Sequence, residues 1–115
     1  MIINFSKVRI FIKPGATDMR KQINGLSIIA EDFFGENVFS GNLFLFCNKS
    51  RRRLKILYWD RNGFCLWLKR LEQDKFPWPI NSEECKEITV RELGMLLDGI
   101  NFFNAYKKLH FSAVS

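Results

Sequence analysis

Residues 43–70, LFLFCNKSRRRLKILYWDRNGFCLWLKR, decide the fold. Three apolar runs, LFLFC (43–47), LKILYW (54–59) and FCLWLK (64–69), are separated by two polar connections. The second connection, Asp60-Arg61-Asn62-Gly63, contains Asn-Gly, a pair that tolerates positive φ and marks a tight hairpin. The first, NKSRRR, is basic and polar and reads as an exposed turn. An antiparallel β-meander follows, with hairpins around residues 43–69. Its strands are apolar on both faces instead of alternating. The sheet is therefore expected to be covered on both sides, by helices, by a curled sheet or by a partner subunit.

Upstream, Lys7 to Lys13 (KVRIFIK) alternates basic with apolar residues, as a half-buried strand should, and Pro14-Gly15 closes it. Thr17 or Asp18 can cap a helix over about 18–34. Met19, Ile23, Leu26 and Ala30, with Phe33 and Phe34, recur at the spacing of one buried face. Gly35 suits the C-terminal cap, and Gly25 inside the helix points to close approach by another element. Downstream, the prolines of LEQDKFPWP (71–79) break regular structure. Thr89 and Glu92 have capping-box spacing and open a second helix over about 89–99. The expected fold class is α+β, a meander with two main helices, in one domain spanning 1–115. The tail from about 103 is its loosest part.

Composition narrows the function. With 115 residues, 47% of them hydrophobic, and 12 Phe and 3 Trp, the chain suits one modest core, not a disordered segment. No apolar run approaches the roughly 20 residues that span a bilayer, and the N-terminus lacks the parts of a secretory signal. A cytoplasmic protein with no membrane partner is the expectation. The three cysteines, Cys47, Cys65 and Cys85, form no CxxC, and there is one histidine, His110. Such spacing does not suit zinc, so neither metal nor cofactor is expected, and the thiols read as small packed hydrophobes. Asp18, Asp60, Glu72 and Asp74 are scattered over turns and form no two-metal carboxylate cluster; no Ser/His/Asp set can be assembled either. Catalysis is disfavoured.

Charge is the positive signal. The chain carries a net +6, and the whole excess lies between Lys49 and Arg70. There Lys49, Arg51, Arg52, Arg53, Lys55, Arg61, Lys69 and Arg70 face a single acid, Asp60. Tyr58, Trp59 and Trp67 lie between them. Clustered cations attract phosphates and exposed rings stack on bases, so the segment is a candidate polyanion surface. If the strand faces match across the turn, Lys55, Trp59, Trp67 and Lys69 make one cationic and aromatic surface. The competing reading is a solvated basic turn above tryptophans that are simply core. Arg20 and Lys21 are secondary candidates, because cations in a helix's first turn oppose its dipole. Phe76 and Trp78, held between prolines, are candidates either for docking on a partner or for sealing the sheet end.

Several ordered fragments together resemble one family. They are Thr17-Asp18-Met19-Arg20-Lys21 with Gly25-Leu26, then Phe39-Ser40-Gly41 with LFLF, and the Arg-rich turn into Lys55-Ile56-Leu57-Tyr58-Trp59-Asp60. Gly63-Phe64, Leu66-Trp67, Lys69-Arg70-Leu71-Glu72, Phe76, Trp78-Pro79, Leu96-Leu97 and Gly99-Ile100 follow. The run resembles the TnpB accessory proteins, second open reading frame products of the bacterial insertion-sequence family sixty-six. It departs from the family pattern at Gln22-Ile23-Asn24, where an amide stands in place of the family's Asp. The resemblance implies a non-enzymatic accessory of transposition, encoded beside a larger transposase that carries the strand chemistry. The resulting expectation is a protein that binds nucleic acid, DNA more than RNA, through the basic hairpins. The alternative is an adaptor that docks on the co-encoded transposase without touching DNA, and a homodimer is a further candidate assembly.

Overall fold

The computed structural model describes residues 5–81 and 85–103. The elements are β1 (Ile10–Ile12), α1 (Ile23–Phe34), β2 (Leu43–Cys47), β3 (Arg53–Asp60), β4 (Gly63–Arg70), β5 (Glu87–Ile88) and α2 (Val90–Leu97). The five strands form one sheet in the order β4-β3-β2-β1-β5. β2, β3 and β4 are the antiparallel meander expected from residues 43–70. The fold is α+β, and the expected tail lies, apart from Phe103, outside the described residues.

Both faces of the central strands are covered, because the apolar runs have no polar side to give to water. On one face Phe11, Phe44, Phe46 and Leu57 pack under α1, through Leu26 and Ala30. On the other, Ile12, Leu45, Leu54 and Ile56 pack with α2, through Leu93 and Leu96, and with Phe76 and Trp78. The sheet is thus the middle of three layers.

Three expectations are corrected. β1 is not a half-buried strand of the alternating kind: Ile10, Phe11 and Ile12 are all buried. It pairs parallel to β2, with α1 as the crossover, and antiparallel to β5. Being interior to the sheet, it has no face left for solvent.

Helix α1 starts at Ile23, not near Asp18. The carbonyls of Met19 and Lys21 accept hydrogen bonds from the Lys55 ammonium, at 2.8 and 2.9 Å. Those oxygens would otherwise serve the first helical turn, so residues 18–21 form a turn instead, and Gln22 is extended. Asp18 caps nothing helical: its carboxylate accepts from the Arg20 backbone N–H at 2.9 Å and from its guanidinium at 2.8 Å. The other helix signals hold. Gly35 terminates α1 at φ 65°, and the Thr89–Glu92 capping box is complete. A Cβ on Gly25 would crowd the Lys21 side chain at 3.3 Å, so the close neighbour is the preceding turn, not another element.

The third correction concerns the sheet faces. Asp60 pairs with Gly63 across the two-residue loop Arg61-Asn62, so each odd-numbered residue of β3 faces an even-numbered one of β4. Lys55 sits opposite Leu68 and Trp59 opposite Phe64, while Trp67 sits opposite Ile56 and Lys69 opposite Leu54. Lys55 and Trp59 therefore share the α1 face, whereas Trp67 and Lys69 share the α2 face. The single cationic-aromatic surface does not form.

Candidate nucleic-acid interface

The eight cations of the basic stretch separate into three groups, and burial and partners do the sorting. Lys55 is 5% exposed, and its ammonium is occupied by the Met19 and Lys21 carbonyls. Burial, with Arg53 nearby, pulls its pKa below the ordinary lysine value, while Asp18 opposes that shift. Lys69 turns the other way, donating to the Leu97 carbonyl at the end of α2, at 3.0 Å. A cation there satisfies an orphan carbonyl and the negative end of the helix dipole. Neither side chain is presented to a phosphate. Both are structural staples, one for each face of the sheet.

Arg61 stands at the far hairpin tip, beyond the strand from Arg53 to Asp60, about 26 Å from Arg53 at the strand rise per residue. It is exposed and adopts φ 49°. Trp59 also lies at this end and is partly buried edge-on against Phe39 and Phe64, at ring separations of 5.1 and 5.0 Å. Its ring is engaged in that aromatic cluster. Trp67 is 40% exposed, but on the edge strand and on the α2 face.

The remaining cations converge at the opposite end of the sheet. Lys49, Arg51, Arg52 and Arg53 are exposed in and beside the β2–β3 loop. The loop is rigidly built. The Asn48 side-chain oxygen accepts from the backbone N–H groups of Arg52 and Arg53, both at 3.1 Å, and its carbonyl accepts from Arg51 N–H at 3.0 Å. The Arg51 and Arg52 carbonyls in turn accept from the N–H groups of Phe76 and Leu71, at 2.7 and 2.8 Å. Arg70 pairs directly across the sheet with Arg53. From the other side, the Thr17 N–H bonds to the Cys47 carbonyl at 2.7 Å and brings the Asp18–Lys21 turn alongside. Between turn and loop lies a cleft of about 550 Å³ whose walls include Asp18, Arg20, Asn48, Lys49 and Arg53. Lys21 is exposed on the same turn.

Two features of this end cost stability. Arg53 and Arg70 are like charges directly opposed on adjacent strands, an unfavourable pair. Arg51 has φ 61°, where a non-glycine residue costs on the order of 1 kcal/mol. Two carboxylates offset the field: Asp18 pairs with Arg20 and Glu72 with Arg70, each at 2.8 Å. Hydrogen bonds from Arg20 hold the Asp18 carboxyl down at about 2. Among the described residues no carboxylate lies within ion-pair distance of Lys49, Arg51, Arg52 or Arg53.

Phe76 and Trp78 are not presented to a partner. Phe76 is fully buried and Trp78 is 8% exposed, with its indole N–H donating to the Lys13 carbonyl at 2.8 Å. The FPWP segment packs as part of the cover of the α2 face. Cys47 is buried, and loss of hydration pushes its thiol up to about 12, so it is no nucleophile at neutral pH. Among the described residues no group of three or more His, Cys, Asp or Glu side chains could hold a metal ion. No helix among them is long and apolar enough to cross a membrane.

The role assigned to Lys55 has a direct check. Truncating Lys55 to Ala removes the donor to the Met19 and Lys21 carbonyls and leaves a void where its buried stem packed. It should lower unfolding stability by about 2–4 kcal/mol. Urea denaturation would measure it. A change below about 0.5 kcal/mol would return Lys55 to the surface cations.

Comparison with known proteins agrees with the fragments quoted above. The family described as IS66 Orf2 like protein matches residues 8–107. The uncharacterized protein y4hO of Sinorhizobium fredii (strain NBRC 101917 / NGR234) is 34% identical over 102 residues, 89% of each chain. The uncharacterized protein y4jC of the same strain is 28% identical over 101 residues, 88% of this chain and 86% of that one. No solved structure matches.

Proposed function

Since the chain belongs to the IS66 Orf2-like family, we propose that it is a non-catalytic accessory protein of insertion-sequence transposition that binds DNA through the β2–β3 end of its sheet. Lys49, Arg51, Arg52 and Arg53 are the primary phosphate contacts. Arg20 flanks them across the cleft, with Lys21 on the same turn, and Arg70 lies beside Arg53 on the neighbouring strand. The observation that carries this reading is a rigid loop of arginines held at an energetic cost. Its backbone is fixed by Asn48 and by the 71–76 segment, yet its guanidinium groups have no carboxylate within ion-pair distance among the described residues. Strain and uncompensated like charge at one place are a reason to look for a ligand that supplies the missing counter-charge.

Compared with the whole basic stretch, the proposed interface is smaller and differently composed. Lys55 and Lys69 leave it because they bond to the chain's own carbonyls. Trp59 and Arg61 leave it because they lie at the other end of the hairpin. Without a ring among its members, the interface suits backbone phosphates better than stacked single-stranded bases. Phosphates position a protein without reading sequence, so any sequence choice for the element's ends would belong to the co-encoded transposase. The adaptor alternative loses its best surface, because Phe76 and Trp78 are core.

A salt titration tests the proposal. Binding to duplex DNA carrying the element's terminal sequence should weaken with a log–log slope of about −3.5 to −5.5, corresponding to roughly four to six neutralised phosphates. Fluorescence anisotropy between about 50 and 300 mM NaCl measures that slope. A salt-independent signal, or no binding at the lowest salt, would end the proposal.

A further inference from the structure

We infer that β4 is the homodimerisation edge of this protein, pairing antiparallel with β4 of a second copy to make a continuous ten-stranded sheet. The two edges of the sheet are unequal. β5 ends it with two residues, Glu87–Ile88, whereas β4 presents eight. All eight pair with β3 in one uninterrupted register, so no bulge turns the free edge away. β4 also contains no proline, and among the described residues no strand lies beyond it. Long, flat, apolar edges are templates for further pairing, and proteins guard them with charge or cover.

Here the guards face elsewhere. The Lys69 ammonium is drawn onto the Leu97 carbonyl, and the Arg70 guanidinium is paired with Glu72. Meanwhile Trp67 stays 40% exposed on the α2 face and Leu68 stays 54% exposed on the α1 face. A two-fold axis normal to the sheet brings like faces together, which allows only registers that oppose residues of equal parity. Centring the axis on Leu66 sets Leu68 against Phe64 of the second copy on the α1 face. On the α2 face it sets Trp67 against Cys65. Each exposed apolar side chain gains an apolar neighbour.

Charge selects the second copy as the occupant. In this register the C-terminal end of each β4, with Arg70 and Glu72, meets the other copy's hairpin tip, with Asp60 and Arg61. Arg61 has no carboxylate within ion-pair distance among the described residues, and Glu72 is 74% exposed. The antiparallel arrangement also puts the two arginine loops at opposite ends of the joined edge. A parallel arrangement would place those two cationic loops side by side. The inference stands on the β4 edge alone and survives failure of the DNA-binding proposal.

Sedimentation equilibrium on the full chain, without nucleic acid, tests it. At about 100 µM the mass should be twice the 13.6 kDa of one chain. Leu68→Lys, a change at an exposed position, should weaken the dimer at least about tenfold with an unchanged circular dichroism spectrum. Leu68→Thr, a milder change should the lysine variant fold poorly, should weaken it less. Ile80→Lys, at a position 78% exposed and away from β4, should leave it intact. A monomer at every concentration overturns the inference and assigns the edge to an extended segment of another protein. A dimer indifferent to both Leu68 variants overturns it as well.

Discussion

Replacing Arg51 with Gly and Arg52 and Arg53 with Ala in one variant should weaken duplex DNA binding at least about thirtyfold near 100 mM salt and reduce the magnitude of the salt slope by about 3. The slope is the sharper readout, because it counts released counterions and is insensitive to small losses of folded protein. Gly is chosen at position 51 because its φ of 61° is free for glycine and costly for alanine. The loop should keep its shape in the variant. Its fixed points are the Asn48 side chain and the Arg51 and Arg52 carbonyls, none of which depends on a guanidinium. Thermal stability should therefore be unchanged or slightly raised, since the Arg53–Arg70 repulsion disappears. Arg61→Ala is the matched control: it removes one exposed cation, but from the far hairpin tip. If Arg61→Ala lowers the slope as much as each loop arginine does, the interface extends along the whole hairpin. If the triple variant binds like the parent, the arginine loop is not the interface.

Much of this architecture is legible in local signals, and the exceptions share a cause. The meander, the Gly35 cap and the Thr89–Glu92 box depend on residues within a few positions of one another, where propensity and turn chemistry act directly. The start of α1 depends instead on Lys55, more than thirty positions away in sequence. No pattern in TDMRKQIN announces that two of its carbonyls will be taken by a distant ammonium. β1 and β5 are likewise defined by partners remote in the chain. Arg9, exposed beside β1, reaches Glu87 of β5 at 2.6 Å, a contact across 78 positions. The site shows the same division. Charge localisation found the arginine loop. Face assignment within the hairpin failed on one residue of turn register, which moved Trp67 and Lys69 to the other side of the sheet. Lysine is the residue type most easily misjudged this way, since its long stem lets one charge reach either solvent or a buried carbonyl.

Truncating Phe76 to Ala should have the largest effect on stability of any single change considered, a loss of about 3–5 kcal/mol. The Phe76 ring is fully enclosed among the sheet residues that α2 also covers, so its removal leaves a cavity in the α2-face core. Its backbone N–H holds the Arg51 carbonyl at 2.7 Å, so the same residue ties the core to the arginine loop. For a chain of this length the loss corresponds to a drop in Tm of roughly 10–20 °C. Phe76→Leu keeps most of the volume and should cost only about 1–2 kcal/mol. Where the alanine variant remains folded at low temperature, amide exchange at Arg52 and Arg53 should accelerate, and DNA affinity should fall because the phosphate contacts are no longer held in place. That affinity loss should come with little change in salt slope, since every arginine is still present. A docking ring would behave in the opposite way: Phe76→Ala would leave Tm within about 2 °C of the parent and would remove a protein partner instead. Melting curves of the two variants decide between these outcomes.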